Sequence, residues 1–267
     1  MRFEDFKYDG MLLSDYGYIV CSFDSADLNT VSNGGNLTFN TSSMDYGQKW
    51  LLASTYYDAV YEATFSICKD PCNSKSGDID PMSIYEVRDL TRWLNRRDFC
   101  KFTPIAKGYE NTFYEGSFNI GVIQLGGSIL GLELTFTTNS PYARHDEILH
   151  EFTVQENGHI NIMDLSDDIG YEYVNMEVTC KSAGSLTIHN DMEDRNTVVN
   201  NCTAGEIITF NHPIINTSVS SHKIQNDFNY NFPRLANVFN SKKNVITFSL
   251  PCDVKLSYCP NRKVGVF

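Results

Sequence analysis

A chain of 267 residues, 42% of them hydrophobic, is long enough to bury a full core and, in a mainly β protein, to make two. Its 21 basic residues against 33 acidic give a net charge of -12, and no basic stripe offers the phosphate neutralisation that direct DNA or RNA binding needs. The longest apolar run, "NIGVIQLGGSILGLELTF", is broken by glycines and Glu133, which argues against a membrane-spanning helix, and the acidic, aromatic start lacks the basic end and apolar stretch of an export signal. A soluble protein is expected.

In chain order, alternation of apolar and polar residues predicts strands in "YGYIVCSF" and "NLTFN". In "AVYEATFSIC", Ala59, Tyr61, Ala63, Phe65 and Ile67 share one face, and Glu62, Thr64 and Ser66 the other. From Ser83 to about Arg96 the period changes: Ile84, Val87, Leu90 and Leu94 fall three and four apart, the mark of an amphipathic helix, with Trp93 flanking the stripe. Asp80, Pro81 and Ser83 supply start signals, since a short side-chain acceptor caps free amides and proline suits a first turn. Strands resume in "FCKFTPI", "TFYEGSFNI" and "LGLELTFTT", where Leu132, Leu134 and Phe136 oppose Glu133, Thr135 and Thr137.

A boundary is expected at "TTNSPYARHDE", dividing the chain into residues 1–143 and 144–267. Beyond it the pattern is almost purely β: "EILHEFTV", "GHINIMDL", "YEYVNMEVTC", "GSLTIHN", "GEIITFNH", "NVITFSL" and "DVKLSY", short strands between polar turns that suggest an antiparallel sandwich. The fold class is therefore mainly β, an N-terminal β domain with one helix followed by a β-sandwich. No internal repeat is visible.

Catalytic patterns find no support. "GGSILG" around Ser128 misses the Gly-x-Ser-x-Gly spacing of a hydrolase elbow, and neither phosphate-cradling glycine loop occurs. Eight cysteines spread along a chain without an export signal read as reduced thiols, and the Cys68/Cys72 pair lacks a second pair to complete a metal site. All six histidines lie from His145 onward; His145 and His150 are five apart rather than the four of a zinc helix, and read as surface or strand residues. Two acidic clusters, Asp164, Asp167 and Asp168, then Asp191, Glu193 and Asp194, lack the alternating ligand spacing of a calcium loop and read as solvated turns. No cofactor or metal is expected, and a β-scaffold glycosidase survives only because acidic pairs cannot be assigned to a cleft from sequence.

The order of elements carries a resemblance. "FEDFKYDGMLLSDYGYIV", "WLLASTYYDAVYEATFSI", the helix ending "TRWLNRRDFCKFTPI", the strand "LGLELTFTTNSPYA" and the C-terminal "NDFNYNFPRLANVFNSKKNVITFSLPCDVKLSYCPNRKVG" together resemble the distal tail proteins of long-tailed phages that infect Gram-positive bacteria. The resemblance covers essentially the whole chain. It implies a first domain that closes a hexameric ring at the tip of the tail tube and a second, galectin-like or carbohydrate-module-like sandwich that projects outward. The implied partners are the tail tube protein, a tail-associated lysin or fibre and receptor-binding proteins or host glycans, in a virion tail tip assembled in the host bacterial cytoplasm. The implied role is structural, with no catalytic residues, no specific nucleic acid and no membrane insertion. Acidic residues are expected partly to line the lumen, where they would keep passing DNA from sticking.

One stretch, "NDFNYNFPRLANVF" at residues 226 to 239, is neither a clean helix nor a clean strand. Phe228, Tyr230 and Phe232 are candidate anchors in a long connection to the last strands, and Pro233 biases Phe232 towards an extended backbone. Packing is the favoured reading, because aromatic rings bury much surface per residue. The alternative makes these three rings a partner or sugar contact and the protein a carbohydrate-binding sandwich that recognises cell-surface glycans.

Overall fold

The computed structural model describes residues 3–23, 37–43, 50–57, 62–73 and 79–264. Two compact units emerge, Met1–His145 with Arg262–Phe267, and Asp146–Asn261.

In the first unit the strands are β1 (Asp5–Tyr8), β2 (Met11–Leu12), β3 (Tyr18–Cys21), β4 (Leu37–Ser43), β5 (Trp50–Tyr57) and β6 (Glu62–Lys69); after helix α1 (Ile84–Leu94) come β7 (Cys100–Ile105), β8 (Thr112–Leu125), β9 (Ser128–Thr138) and β10 (Ala143–His145). The main sheet runs β2-β1-β7-β8-β9-β6-β3, with β10 also paired to β8. In β9, the alternation read from the sequence holds: Leu132, Leu134 and Phe136 are all buried. They join a core of rings in which Phe102 and Phe118 lie 4.6 and 4.9 Å from Phe136. In β6, Ala63 and Ile67 point into that core, whereas Ala59 and Tyr61 lie outside the described residues.

Helix α1 starts where its signals place it. Ser83 Oγ accepts from Glu86 N, and the Glu86 carboxylate accepts from Ser83 N at 2.7 Å, a reciprocal capping box. Its buried face differs from the expected one: Val87, Leu90, Trp93 and Leu94 are inside, while Ile84 is 59% exposed. Trp93 is held by its indole N–H, which donates to the Tyr8 carbonyl at 3.2 Å, and by Tyr16 stacked on its other side at 5.0 Å. That anchorage turns the helix so that its first residue faces away from the sheet.

The second unit is built from β11 (Ile148–Val154), β12 (Gly158–Met163), β13 (Gly170–Tyr173), β14 (Asn175–Cys180), β15 (Gly184–Asn190), β16 (Arg195–Cys202), β17 (Ile207–Asn211) and β18 (Ile214–Thr217). A one-turn helix α2 (Ile224–Asp227) follows, then β19 (Arg234–Asn237), β20 (Lys243–Phe248) and β21 (Cys252–Tyr258). Two antiparallel sheets, β11-β21-β14-β17-β18 and β12-β20-β15-β16, share one apolar core that includes Val178, Phe210, Leu186, Phe248 and Leu256. "YEYVNMEVTC" is two strands rather than one, because the chain changes sheets at Val174: β13 pairs with β19, and β14 lies between β21 and β17.

The last strand, β22 (Asn261–Arg262), pairs with β10. Residues 262–267, assigned from sequence to the second domain, thus group with the first unit. Tyr114 Oη donates to the Val264 carbonyl and Lys263 Nζ donates to Tyr57 Oη at 2.6 Å. A two-residue strand has no readable alternation, so nothing in the sequence marked this return.

Candidate functional site

Strand β16 is the edge of its sheet, and an open edge exposes N–H and C=O groups that invite pairing with another chain. The aromatic stretch covers it. Phe228 forms a single antiparallel bridge with Val199, and Asn229 N–H donates to the Val198 carbonyl at 3.1 Å. Where backbone pairing then fails, amide side chains replace it: Asn229 Oδ1 accepts from Val198 N at 3.1 Å, and Asn229 Nδ2 and Asn231 Nδ2 both donate to the Asn196 carbonyl.

This geometry separates the three rings. Phe228 and Phe232 are buried, 5.0 Å apart edge to face, and belong to the core of the second unit. In this unit they are packing residues. Tyr230, in the left-handed region at φ 59°, is 64% exposed, with its hydroxyl donating to the Gln225 carbonyl. The stretch also holds strand β19, where the sequence suggested only a connection.

Next to α2 lies a buried polar cluster that spacing did not reveal. Glu206 is fully buried; its carboxylate accepts from Thr203 N, Thr203 Oγ1, Thr217 Oγ1 and the ring of His222. His222 Nδ1 faces Glu206 and Nε2 lies 3.3 Å from Asp227 Oδ2. Burial alone would raise the Glu206 pKa, but donation from Thr217, His222 and Thr203 outweighs it and holds the carboxyl below its usual range. Burial likewise opposes charge on His222, yet Glu206, Cys202 and Asp227 prevail and raise its pKa. Glu206 and His222 are 16 residues apart, and only the fold brings them together.

Asp227 also lines a polar groove of about 660 Å³ with Gly184, Ser185, Asn200, Asn201 and Cys202. Asn201 Nδ2 donates to Asp227 Oδ1 at 2.7 Å, and Ser185 Oγ donates to Asn200 Oδ1 at 2.8 Å.

The acidic clusters are put to other uses. Asp164 is buried and accepts from Ser166 N, while Glu193 pairs with Arg234 at 2.8 Å. Among the described residues no group of three His, Cys, Asp or Glu side chains is placed to hold a metal ion. Cys68 is buried beside the Cys21 thiol, whereas Cys72 is exposed. Ser128 follows a glycine turn in which Gly126 and Gly127 have φ of 58° and 85°. His145 and His150 lie in β10 and β11.

Two apolar surfaces stand out. Strands β4 and β5 pair only with each other among the described residues, and the register puts exposed Leu37 and Phe39 on one face and exposed Tyr56 on the other. The side chain of Trp50 lies outside the described residues. In the second unit, Tyr171 and Tyr173 project from the same side of β13, Tyr171 backed by the Arg234 guanidinium at 3.9 Å and Tyr173 by His212 at 3.8 Å.

Two family models account for nearly the whole chain: one described as a phage tail protein N-terminal domain matches residues 1–140, and one described as a phage tail C-terminal domain matches residues 142–258. The chain belongs to this family of phage tail proteins. Within that class its fold is Dit-like. Among solved structures it is similar to the Dit protein (gp 19.1) of phage SPP1, described as a paradigm of the hub adsorption apparatus in phages infecting Gram-positive bacteria. The TM-score is 0.68 at 10% identity, over 97% of this chain and 99% of that one, which establishes a shared mainly β fold. No curated sequence matches.

Proposed function

We propose that this chain is the hub of a phage tail tip, six copies of which close a ring through their first units. The ring joins the tail tube to a tail-associated lysin or fibre and carries receptor-binding proteins outward. The observation that supports a partner-dependent assembly is the β4–β5 hairpin. A two-stranded ribbon is at best marginally stable alone, and this one exposes large apolar side chains on both faces, so a neighbouring chain is the natural cover.

Gold-labelled antibody on intact virions tests the position, with label expected at the distal end of the tail. Label along the tube or on the head would sink the reading. Light scattering over a concentration series, with negative-stain images of the same fractions, tests the ring: sixfold particles with a central hole are expected, and a particle of different symmetry refutes the hexamer.

A second reading, host glycan binding by the second unit, is favoured by the paired tyrosines of β13, whose rings are held from behind and exposed in front. Titration of the full chain with cell-wall polysaccharide should show saturable binding that is lost in the Tyr171→Ala/Tyr173→Ala variant. Binding unchanged in that variant removes these rings from the account.

A further inference from the structure

The first unit carries opposite charge on its two sides. Helix α1 packs inward through Val87, Leu90, Trp93 and Leu94, so the helical period leaves Ile84, Tyr85, Arg88 and Arg92 on the side turned away from the sheet. Ile84 is 59% and Tyr85 71% exposed, two large apolar side chains left in water one after the other. Arg88 and Arg92, one turn apart, are exposed too, and among the described residues neither is bonded to an acid. Asp89 is the only other charged residue of the helix on that side, because Glu86 is turned to Lys69 and pairs with it at 2.8 Å.

The far side of the sheet is the complement. In β9, Leu132, Leu134 and Phe136 face the core and α1, so Glu133, Thr135 and Thr137 face outward, and the same alternation in β6 turns Glu62, Thr64 and Ser66 out. Ser66 is the register partner of Glu133, and Glu62 of Thr137, which makes the two strands one continuous surface. It is held flat by its own side chains: the Thr64 and Thr135 hydroxyls share a hydrogen bond at 3.3 Å, and Thr137 Oγ1 donates to Glu62 Oε1 at 3.4 Å. Glu62 and Glu133 are both exposed. Neither β8 nor β9 contains a lysine or arginine, and the single one in β6, Lys69, lies on the helix side.

We propose that these two surfaces meet between copies of the chain, the outer face of α1 in one subunit docking on the outward face of β6 and β9 in the next. A second copy is the occupant because the chain itself carries both halves of the match, and it carries them on opposite sides of one sheet, where they cannot meet within a single molecule. A contact between two different patches is heterologous: repeated with a fixed rotation it closes a ring, whereas a patch that met itself would stop at a dimer. Arg88 and Arg92 face Glu62 and Glu133, guanidinium against carboxylate, and opposite charge sets the direction in which each copy receives the next. Ile84 and Tyr85 lie against the threonine methyl groups and lose their exposure. The inference rests on the ring proposed above and adds the surfaces that close it.

Two variants of the full-length chain test it, Arg88→Glu/Arg92→Glu and Glu62→Arg/Glu133→Arg. All four side chains are exposed, so both variants should keep the unfolding midpoint of the unmodified chain. By light scattering and negative stain, the unmodified chain is expected to form rings, and each variant alone, with like charge facing like, to stay monomeric at the same concentrations. Mixed in equal amounts the two variants should regain rings, because alternating copies restore every contact of opposite charge in a ring with an even number of members. Rings from either variant alone, or none from a mixture of folded variants, overturn the inference and leave the ring to be closed by other surfaces. An unmodified chain that is monomeric at every concentration overturns self-docking outright, and the position of the protein in the virion then rests on the gold label alone. Where one variant fails to fold, the mass of the other decides.

Discussion

Asn244 shows how a single polar residue can hold a backbone together. Its side chain is fully buried and works as one rung of a ladder: Oδ1 accepts from Ala236 N at 2.8 Å while Nδ2 donates to the Ala236 carbonyl at 3.0 Å. Asn190 Nδ2 adds a further bond to Asn244 Oδ1 at 2.9 Å and reaches the Arg234 carbonyl. Asn244→Ala strands both backbone groups of Ala236 inside the protein, and about 2 to 4 kcal/mol of stability should be lost, since each unsatisfied buried group costs about 1 to 3 kcal/mol. Chemical denaturation of the two proteins measures it. Alternation in "KKNVITF" puts Asn244 on the buried face with Ile246 and Phe248, but it does not name the partner, the backbone of Ala236, that satisfies the amide there. Gly116 is a parallel case: a Cβ there would come within 2.4 Å of the Phe136 ring, so the position is closed to any side chain.

At the scale of elements, periodicity was readable wherever one core set it. Strands β6 and β9 and the start of α1 follow from alternation, spacing and capping chemistry, whereas the rotation of α1 depends on Trp93 and its distant acceptor Tyr8, which no local pattern contains. The aromatic stretch resisted reading because it does two jobs at once, filling the core with Phe228 and Phe232 and closing an edge with Asn229 and Asn231. The consequence is measurable. Phe232→Ala should cost about 3 to 5 kcal/mol, and Tyr230→Ala, with most of its ring in solvent, less than about 1 kcal/mol. Equal losses in thermal or denaturant unfolding would contradict the division of roles.

The cluster beside α2 gives the same region a pH response. Glu206 has a lowered folded pKa, so its contribution is complete above the unfolded carboxylate value of about 4.3 and is lost as pH falls through the folded value. His222 has a raised folded pKa; its contribution is complete below about 6.5 and is lost as pH rises through the folded value. Between those limits both are present in full. Unfolding midpoints taken from pH 3 to 9 should therefore decline on both sides of that window, and His222→Gln should remove this cluster's share of the alkaline decline. An alkaline limb unchanged by the substitution would show that His222 does not titrate with folding.

For the whole molecule, alternation and the polar break at "TTNSPYARHDE" were enough to suggest a mainly β chain of two parts, but not that the second part is an insertion. The first unit is completed by residues from both ends of the sequence, with β10 and β22 side by side where the chain leaves it and returns. Tyr114 and Tyr57 are the anchors of that return, through Val264 and Lys263. A short paired strand and a few hydrogen bonds are below what sequence periodicity can register.

That return also decides what a cut would do. A protease that severs the backbone once near residue 146 ends the covalent path into the second unit, but the released fragment still carries Arg262, Lys263 and Val264, docked in the first unit. The nicked protein should migrate as one species in native gels and as two only after denaturation. Two species in the native gel would mean that the returning strand is too weak a clasp. A subunit clasped in this way would keep both of its units after a single chain break, a tolerance to damage that a simple string of two domains would lack.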